Sequence, residues 1–267
     1  MRFNALSVSL LVCGGLFGQD EDVQRKFFSD VHHALGLKPG DVVADVGTGD
    51  DPLHPLRIAK AVGASGRVVC VDIDQKALDK LRKSIPADTT NIEVQLGKVS
   101  DPLLPNASFD AVLISNAYHE MTHHAEMLAH IRQALKPTGR LVVIEAFVES
   151  RRHLPRDEQT KKHEFPPDLL DAELRATGFD IVSREEPLLL DGSTIRYLIA
   201  AQPAKTAQSS AQTDSASALA AAKECDATRE QYQRASAILR ALDLKSGDSA
   251  ADVGAGGGYY TDRLCLS

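Results

Sequence analysis

Between residues 41 and 203 the chain alternates short apolar runs with longer stretches in which apolar residues recur every three or four positions. The apolar runs are rich in Val, Ile and Leu, as strands covered on both faces are, and they span 41–46, 67–73, 91–96, 109–115 and 140–147. The stretches between them predict helices at 56–62, 75–84, 123–135 and 167–177. Strands that alternate with helices indicate an α/β domain with a doubly wound, mostly parallel sheet.

The end of this pattern is different, because two strand-like runs, 179–190 and 194–201, follow each other without a helix. Asp191 and Gly192, which separate them, are typical of a hairpin turn. The sheet is therefore predicted to have seven strands and to finish with an antiparallel hairpin. Dinucleotide-binding folds usually continue in parallel, so this ending argues against an NAD-dependent oxidoreductase.

The composition changes after residue 203. Residues 204–222 are rich in Ala, Ser, Gln and Thr with hardly any large apolar residue, which predicts a flexible linker. Beyond the linker, residues 231–256 align with residues 24–49 without a gap, and about half of the aligned positions are identical. We therefore expect one complete domain at 19–203 and, at 223–267, the truncated start of a second copy.

The first 18 residues allow two interpretations. Arg2 precedes an apolar run at 5–12, which is followed by small residues and then by acidic ones, an order typical of a bacterial secretory signal. The alternative is an apolar N-terminal arm. The protein is accordingly expected to be either exported to the periplasm or cytoplasmic, and the run is too short to span a membrane.

The net charge and the spacing of the cysteines exclude some classes of ligand and of fold. The formal net charge is −7 with a pI near 5.7, whereas proteins that bind nucleic acid usually present a basic face. The cysteines lie too far apart for a zinc ribbon or a disulfide framework, at Cys13, Cys70, Cys225 and Cys265. We expect a small-molecule partner and no nucleic acid.

A glycine-containing loop follows the first predicted strand. That strand ends at Asp45, the loop contains Gly47 and Gly49, and the second strand ends near Asp72. Glycines here allow a ligand to approach the backbone, and an acid at the end of the second strand can hold two ribose hydroxyls. Pro52 stands where a dinucleotide fingerprint has its last glycine, which favours a nucleoside ligand without a pyrophosphate.

Three ordered segments resemble the class I S-adenosylmethionine (SAM) dependent methyltransferases, in particular a branch of small bacterial members. They are the turn at 45–49, the stretch 97–110 after the third strand and the approach to the fifth strand at 135–141. The resemblance implies a Rossmann-like seven-stranded sheet, SAM as the cofactor and methyl transfer to a small-molecule acceptor. It also implies the residues that bind SAM, which are Asp45, Gly47 and Gly49 at the methionine end, Asp72 at the ribose, and Val99 and Asn116.

The sequence departs from the family at two points that bear on SAM binding. Asp50 and Asp51 follow the glycine loop, where their charges would repel the carboxylate of SAM unless they point elsewhere. Lys98 stands where family members often have an acid that meets the adenine amino group. These departures leave open a second hypothesis, a catalytically decayed SAM-binding or interaction protein.

The segment after the fourth strand contains the candidate catalytic residues. His119, with Tyr118 beside it, lies where open α/β sheets bind their ligands, and it is the candidate for a general base or for a group that positions the acceptor. The structural alternative is that His119 caps the next helix or packs under the adenine. By the family resemblance, the segment that contains His163 covers the substrate, and a solvated loop is the alternative.

The same segment matches the zinc motif H-E-x-x-H through His119, Glu120 and His123. On a helix this spacing places two imidazoles on one face, with the Glu as a base, so a zinc hydrolase is a third hypothesis. Here the motif is predicted to straddle the turn between a strand and a helix. We therefore expect no metal site from it.

Overall fold

The computed structural model describes residues 21–204. The predicted leader at 1–18, the linker beyond residue 204 and the second copy at 223–267 lie outside the described residues. Within residues 21–204 no helix is both long enough and apolar enough to cross a membrane.

The described residues form one seven-stranded sheet, as predicted. Its strands are β1 (Val42–Val46), β2 (Arg67–Asp72), β3 (Ile92–Leu96), β4 (Phe109–Ser115), β5 (Leu135–Val148), β6 (Phe179–Asp191) and β7 (Thr194–Pro203). They are ordered β3-β2-β1-β4-β5-β7-β6, with the first five parallel. The antiparallel β6–β7 hairpin inserts β7 beside β5, which confirms the predicted ending.

Helices cover both faces of the sheet. They are α1 (Glu21–Leu35), α2 (Leu53–Val62), α3 (Gln75–Ser84), α4 (His124–Ala134), α5 (Arg156–Thr160) and α6 (Pro167–Ala176). Buried side chains of α1, α2 and α3 form one apolar core against the sheet, and those of α4 and α6 form the other. The doubly wound arrangement is therefore confirmed.

Helix α1 was not among the predicted helices, although its sequence carries the signal. Phe27, Phe28, Val31 and Leu35 are buried on one side of it, and their spacing is that of an amphipathic helix. The short helix α5 was also missed. The helix predicted at 123–135 ends at Ala134 instead, because Leu135 already pairs with Phe109 as the start of β5.

Candidate active site

A cleft of about 510 Å³ lies at the carboxyl end of the parallel strands, a volume in the usual range for a small-molecule site. The helix that follows β1 packs on one face of the sheet and the helix that follows β4 on the other, so the two loops diverge and leave a crevice between them. The predicted site residues that line the cleft are Gly47, Gly49, Asp72, Val99, Asn116 and His119.

The glycine loop needs both of its glycines. Gly47 has φ +76° and Gly49 has φ +64°, values in the left-handed region. A Cβ on Gly47 would lie 2.5 Å from the Cβ of Ala117, so a side chain there would push the loop after β4 away. No heavy atom lies within 4 Å of the position that a Cβ of Gly49 would take, so the backbone is open to a ligand there.

Asp72 is held in a fixed orientation at the end of β2. Its Oδ2 accepts a hydrogen bond from the backbone N–H of Gly49 at 2.9 Å, and its Oδ1 accepts one from the N–H of Asp74 at 2.9 Å. Each carboxylate oxygen keeps a further lone pair, so the group can still accept from two ribose hydroxyls. Beside it, Ile73 and Val99 line the cleft as exposed apolar side chains, which suits the faces of an adenine ring.

Asp45 lies apart from the cleft, on the other side of the glycine loop. It is buried, lines a smaller cavity of about 140 Å³ and accepts a hydrogen bond from the Thr48 hydroxyl at 3.0 Å. Burial raises the pKa of Asp45 to about 7, against the lowering effect of Thr48 and with smaller contributions from the charges of Asp72 and Asp51. Asp45 therefore faces the smaller cavity, whereas Asp72 faces the main cleft.

Asp50 and Asp51 both have structural partners. Asp50 forms an ion pair with Lys80 at 3.1 Å, and Asp51 accepts a hydrogen bond from the backbone N–H of Leu53, the first residue of α2, at 2.9 Å. Both residues line the smaller cavity and neither lines the main cleft. Their partners hold both carboxylates outside the main cleft, so the repulsion that they were expected to exert on the SAM carboxylate does not arise there.

His119 is buried at the wall of the cleft in a 3-10 turn, Tyr118–Glu120. Its Nδ1 lies 2.9 Å from Oε2 of Glu145, and its backbone N–H donates to Oε1 of the same carboxylate at 3.1 Å. Because an ionised carboxylate only accepts, Nδ1 carries the proton in the neutral imidazole, and Nε2 then keeps its lone pair. Helix α4 begins without a side-chain cap, so His119 does not serve as one.

The environment of His119 pulls its pKa in two directions. Burial lowers the pKa, whereas the hydrogen bond to Glu145 and the negative charges of Glu145 and Glu120 raise it. The net result is a pKa above the ordinary value for histidine. Glu145, which is fully buried on β5, was not predicted as a site residue from the sequence. A charged residue within the apolar run 140–147 was the signal that could have indicated it.

Tyr118, by contrast, is a core residue. It is buried, its ring packs edge-on against Phe165 and its hydroxyl donates to Glu173 at 2.7 Å. It does not line the cleft. The prediction of a catalytic role for Tyr118 is therefore not supported by its position, because residues of a 3-10 turn point in different directions, and of Tyr118 and His119 only His119 faces the cleft.

The H-E-x-x-H motif does not form a zinc-binding helix. His119 and Glu120 belong to the 3-10 turn, whereas His123 is exposed, precedes α4 and contacts Glu126 at 2.8 Å. The zinc hydrolase hypothesis is therefore unsupported. A different histidine approaches the turn instead: His163, from the segment after β5, has its ring centroid 5.5 Å from that of His119 and lines the same cleft.

Comparison with known proteins indicates which family this domain resembles. Residues 43–139 match a family described as a methyltransferase domain. The demethylmenaquinone methyltransferase of Symbiobacterium thermophilum is 33% identical over 131 residues, which cover 48% of this chain and 50% of that protein. The chain therefore spans about half the length of that protein and of the demethylmenaquinone methyltransferase of Lactobacillus johnsonii, and 35% of an uncharacterized 37.1 kDa transposon protein of Streptomyces fradiae.

Solved structures share the fold. A SAM-dependent methyltransferase from Aquifex aeolicus has a TM-score of 0.56 and 23% identity, covering 66% of this chain and 88% of that one. The [4+2]-cyclase SpnF has a TM-score of 0.57 and 16% identity, covering 67% and 80%. At these identities the likeness shows the fold alone, and the two names describe different reactions on one fold.

Proposed function

Residues 43–139 belong to a class I SAM-dependent methyltransferase domain, and from this premise we propose that the chain transfers the methyl group of SAM to a small-molecule acceptor. One observation carries the proposal. A single cleft is lined by the open glycine loop and Asp72 on one side and by His119, hydrogen-bonded to a buried glutamate, on the other.

The residues present fit SAM. When bound, SAM supplies a methyl group on a sulfonium, which is already activated for displacement. Asp72 would accept from the ribose hydroxyls, and Ile73 and Val99 would pack on the adenine. The Gly47–Gly49 backbone would lie along the remainder of the molecule, together with Asn116, which lines the same cleft with a left-handed backbone at φ +52°.

His119 is the group that we assign to the acceptor. Glu145 fixes the orientation of the imidazole, so that its Nε2 lone pair can hold an acceptor hydroxyl or take its proton. Methyl transfer is an in-line displacement in which positioning provides most of the rate. A rigid, buried imidazole at the wall of the cleft provides that positioning at little cost in entropy.

The relatives favour a particular class of acceptor. Several relatives over the matched region are named for demethylmenaquinone methylation and for ubiquinone and menaquinone biosynthesis. We extend the proposal to a small aromatic acceptor that bears an ionisable hydroxyl. Loss of the hydroxyl proton makes both the oxygen and the neighbouring ring carbons better nucleophiles, which is the step that a group such as His119 assists.

The test begins with calorimetric titration of the full chain with SAM and with its demethylated product. We expect micromolar binding, at least tenfold weaker in Asp72→Ala and unchanged in Asp88→Ala, a matched change at an exposed aspartate of the loop before β3. Transfer of a labelled methyl group to a reduced demethylated naphthoquinone then tests the acceptor class. Absence of SAM binding up to millimolar concentration would overturn the proposal.

A further inference from the structure

The acceptor end of the cleft carries a cluster of three side chains that have the chemistry of metal ligands. His119, Glu120 and His163 each offer one donor atom, and these atoms all lie within 4.8 Å of one another. Nε2 of His119 lies 3.7 Å from Oε1 of Glu120, and Nδ1 of His163 lies 3.5 Å from the same oxygen. All three residues line the cleft.

These distances are close to those of an occupied site. Two donors about 2.0 Å from a tetrahedral zinc ion lie about 3.3 Å from each other. The two separations that involve Glu120, 3.7 and 3.5 Å, therefore need to shorten by only a few tenths of an ångström, which a rotation of the exposed Glu120 side chain can provide. The donor atoms of the two histidines lie within 4.8 Å of each other, and their approach requires a rotation of the exposed His163 side chain. Two imidazoles and one carboxylate also form a ligand set that transition-metal ions prefer.

The orientation of His119 is the second observation. A histidine that binds a metal usually donates its other ring N–H to a carboxylate, which fixes the tautomer and aims the free lone pair at the ion. Nδ1 of His119 makes this contact with the buried Glu145 at 2.9 Å, and Nε2 faces Glu120. A simple ion pair at the surface between His163 and Glu120 would not require the buried imidazole of His119 to face the same Glu120 carboxylate.

The position of His163 is the third observation. Its φ of +54° lies in the left-handed region, which is uncommon for a residue with a side chain and clusters at functional sites. Its N–H donates to the carbonyl of Thr160, and the Thr160 hydroxyl donates to the carbonyl of His119, both at 3.0 Å. The segment that carries His163 is thus tied directly to the turn that carries His119.

We propose that His119, Glu120 and His163 bind a divalent transition-metal cation of the zinc type, with an open coordination position that takes the hydroxyl oxygen of the acceptor. This inference rests on the proposed methyl transfer for its acceptor, but not for its metal. In this arrangement the Nε2 lone pair of His119 binds the cation, and the cation replaces the imidazole as the group that activates the acceptor hydroxyl. The cation would lower the pKa of that hydroxyl, as it does for water, and the proton would leave to solvent. The acceptor then forms its bond to the methyl carbon while the carbon–sulfur bond breaks, and that electron pair stays on sulfur.

The test measures binding of Zn²⁺ alone to the full chain after removal of metals with a chelator. We expect one site of micromolar affinity that is weakened at least tenfold in His163→Ala and in Glu120→Gln. His153→Ala, a matched change at an exposed histidine of the same segment, should bind as the unchanged protein does. His123→Ala should also keep the site, because His123 lies outside the cluster.

The outcomes separate the two proposals. Zinc binding that survives both His163→Ala and Glu120→Gln, or that is lost in His123→Ala, overturns the site. Full methyl transfer in the presence of a chelator overturns the role of the metal while the methyltransferase proposal stands. Zinc binding at the predicted residues without any binding of SAM leaves the metal site in place and overturns the proposed function. Because Glu120 is exposed, Glu120→Gln should not disturb folding, so a loss of zinc binding in this variant reports on the site itself.

Discussion

Asp45 and Asp72 end neighbouring strands of the sheet, but their surroundings give them different chemistry. Asp72 accepts two backbone hydrogen bonds at the cleft and is held for a ligand. Asp45 is buried beside the smaller cavity, where it accepts a hydrogen bond from the Thr48 hydroxyl and where burial raises its pKa to about 7. Asp45 is the penultimate residue of β1 and pairs with Cys70, whereas Asp72 is the last residue of β2, so Asp45 is buried and Asp72 reaches the main cleft.

The raised pKa of Asp45 makes the stability of the domain depend on pH. A folded-state pKa above the unfolded value means that stability is fully present below about pH 4 and is lost as pH rises through 7. Asp45→Asn keeps the shape and cannot ionise. Its free energy of unfolding should exceed that of the unchanged protein at pH 7.5 by on the order of 3 kcal/mol, and the difference should shrink by pH 4.5.

Urea unfolding of both proteins at the two pH values measures this difference. Because other titrating groups are common to both proteins, their effects cancel. Equal differences at pH 4.5 and pH 7.5 would show that Asp45 ionises without cost in the folded state.

Glu145 acts through His119 and is a positioning residue. In Glu145→Gln the amide can donate to Nδ1, which would move the proton of His119 to Nε2 and remove the lone pair from the cluster. Changes to such supporting carboxylates typically lower metal affinity by roughly 10- to 100-fold. We expect a loss of this size in the dissociation constant for Zn²⁺, with SAM affinity unchanged.

A purely structural role for Glu145 predicts another pattern. The melting temperature would then fall, and the affinities for zinc and SAM would fall together. Zinc affinity, SAM affinity and melting temperature are therefore measured on the same preparation.

At the scale of the elements, helix α1 precedes residue 41, where the predicted alternation of strands and helices begins, so it was not predicted. Phe27 and Phe28 pack against each other with ring centroids 5.1 Å apart, and the Arg57 guanidinium lies 3.9 Å from the centre of the Phe28 ring. Both aromatic residues also line the smaller cavity beside Asp45. The helix therefore completes one face of the sheet and closes the region behind the glycine loop.

The contribution of α1 can be measured by Phe28→Ala. Removing a buried aromatic side chain usually costs roughly 3–5 kcal/mol, because apolar contacts are lost and a cavity remains. Val23→Ala on the same helix, where the side chain is exposed, should change the free energy of unfolding by less than about 0.5 kcal/mol. Equal effects of the two changes in urea unfolding would show that α1 is not part of the core.

At the scale of the whole molecule, the described domain brings together groups that are distant in sequence. The register of β4 and β5 pairs Ser115 with Ile144, so that Glu145 comes to lie beside the turn after β4. The segment after β5 then folds back through Thr160 and places His163 opposite His119. The cleft therefore has a nucleoside side built from β1 and β2 and an acceptor side built from β4, β5 and the segment beyond them.

The sequence by itself determined the sheet, its hairpin and the nucleoside side of the cleft. Periodicity and turn residues are local signals, and the places of Asp72 and the glycine loop at strand ends predict that they line the cleft. It did not determine the acceptor side. The choice of His119 over Tyr118, the role of Glu145 and the approach of His163 depend on side-chain direction and strand register, which only long-range packing fixes.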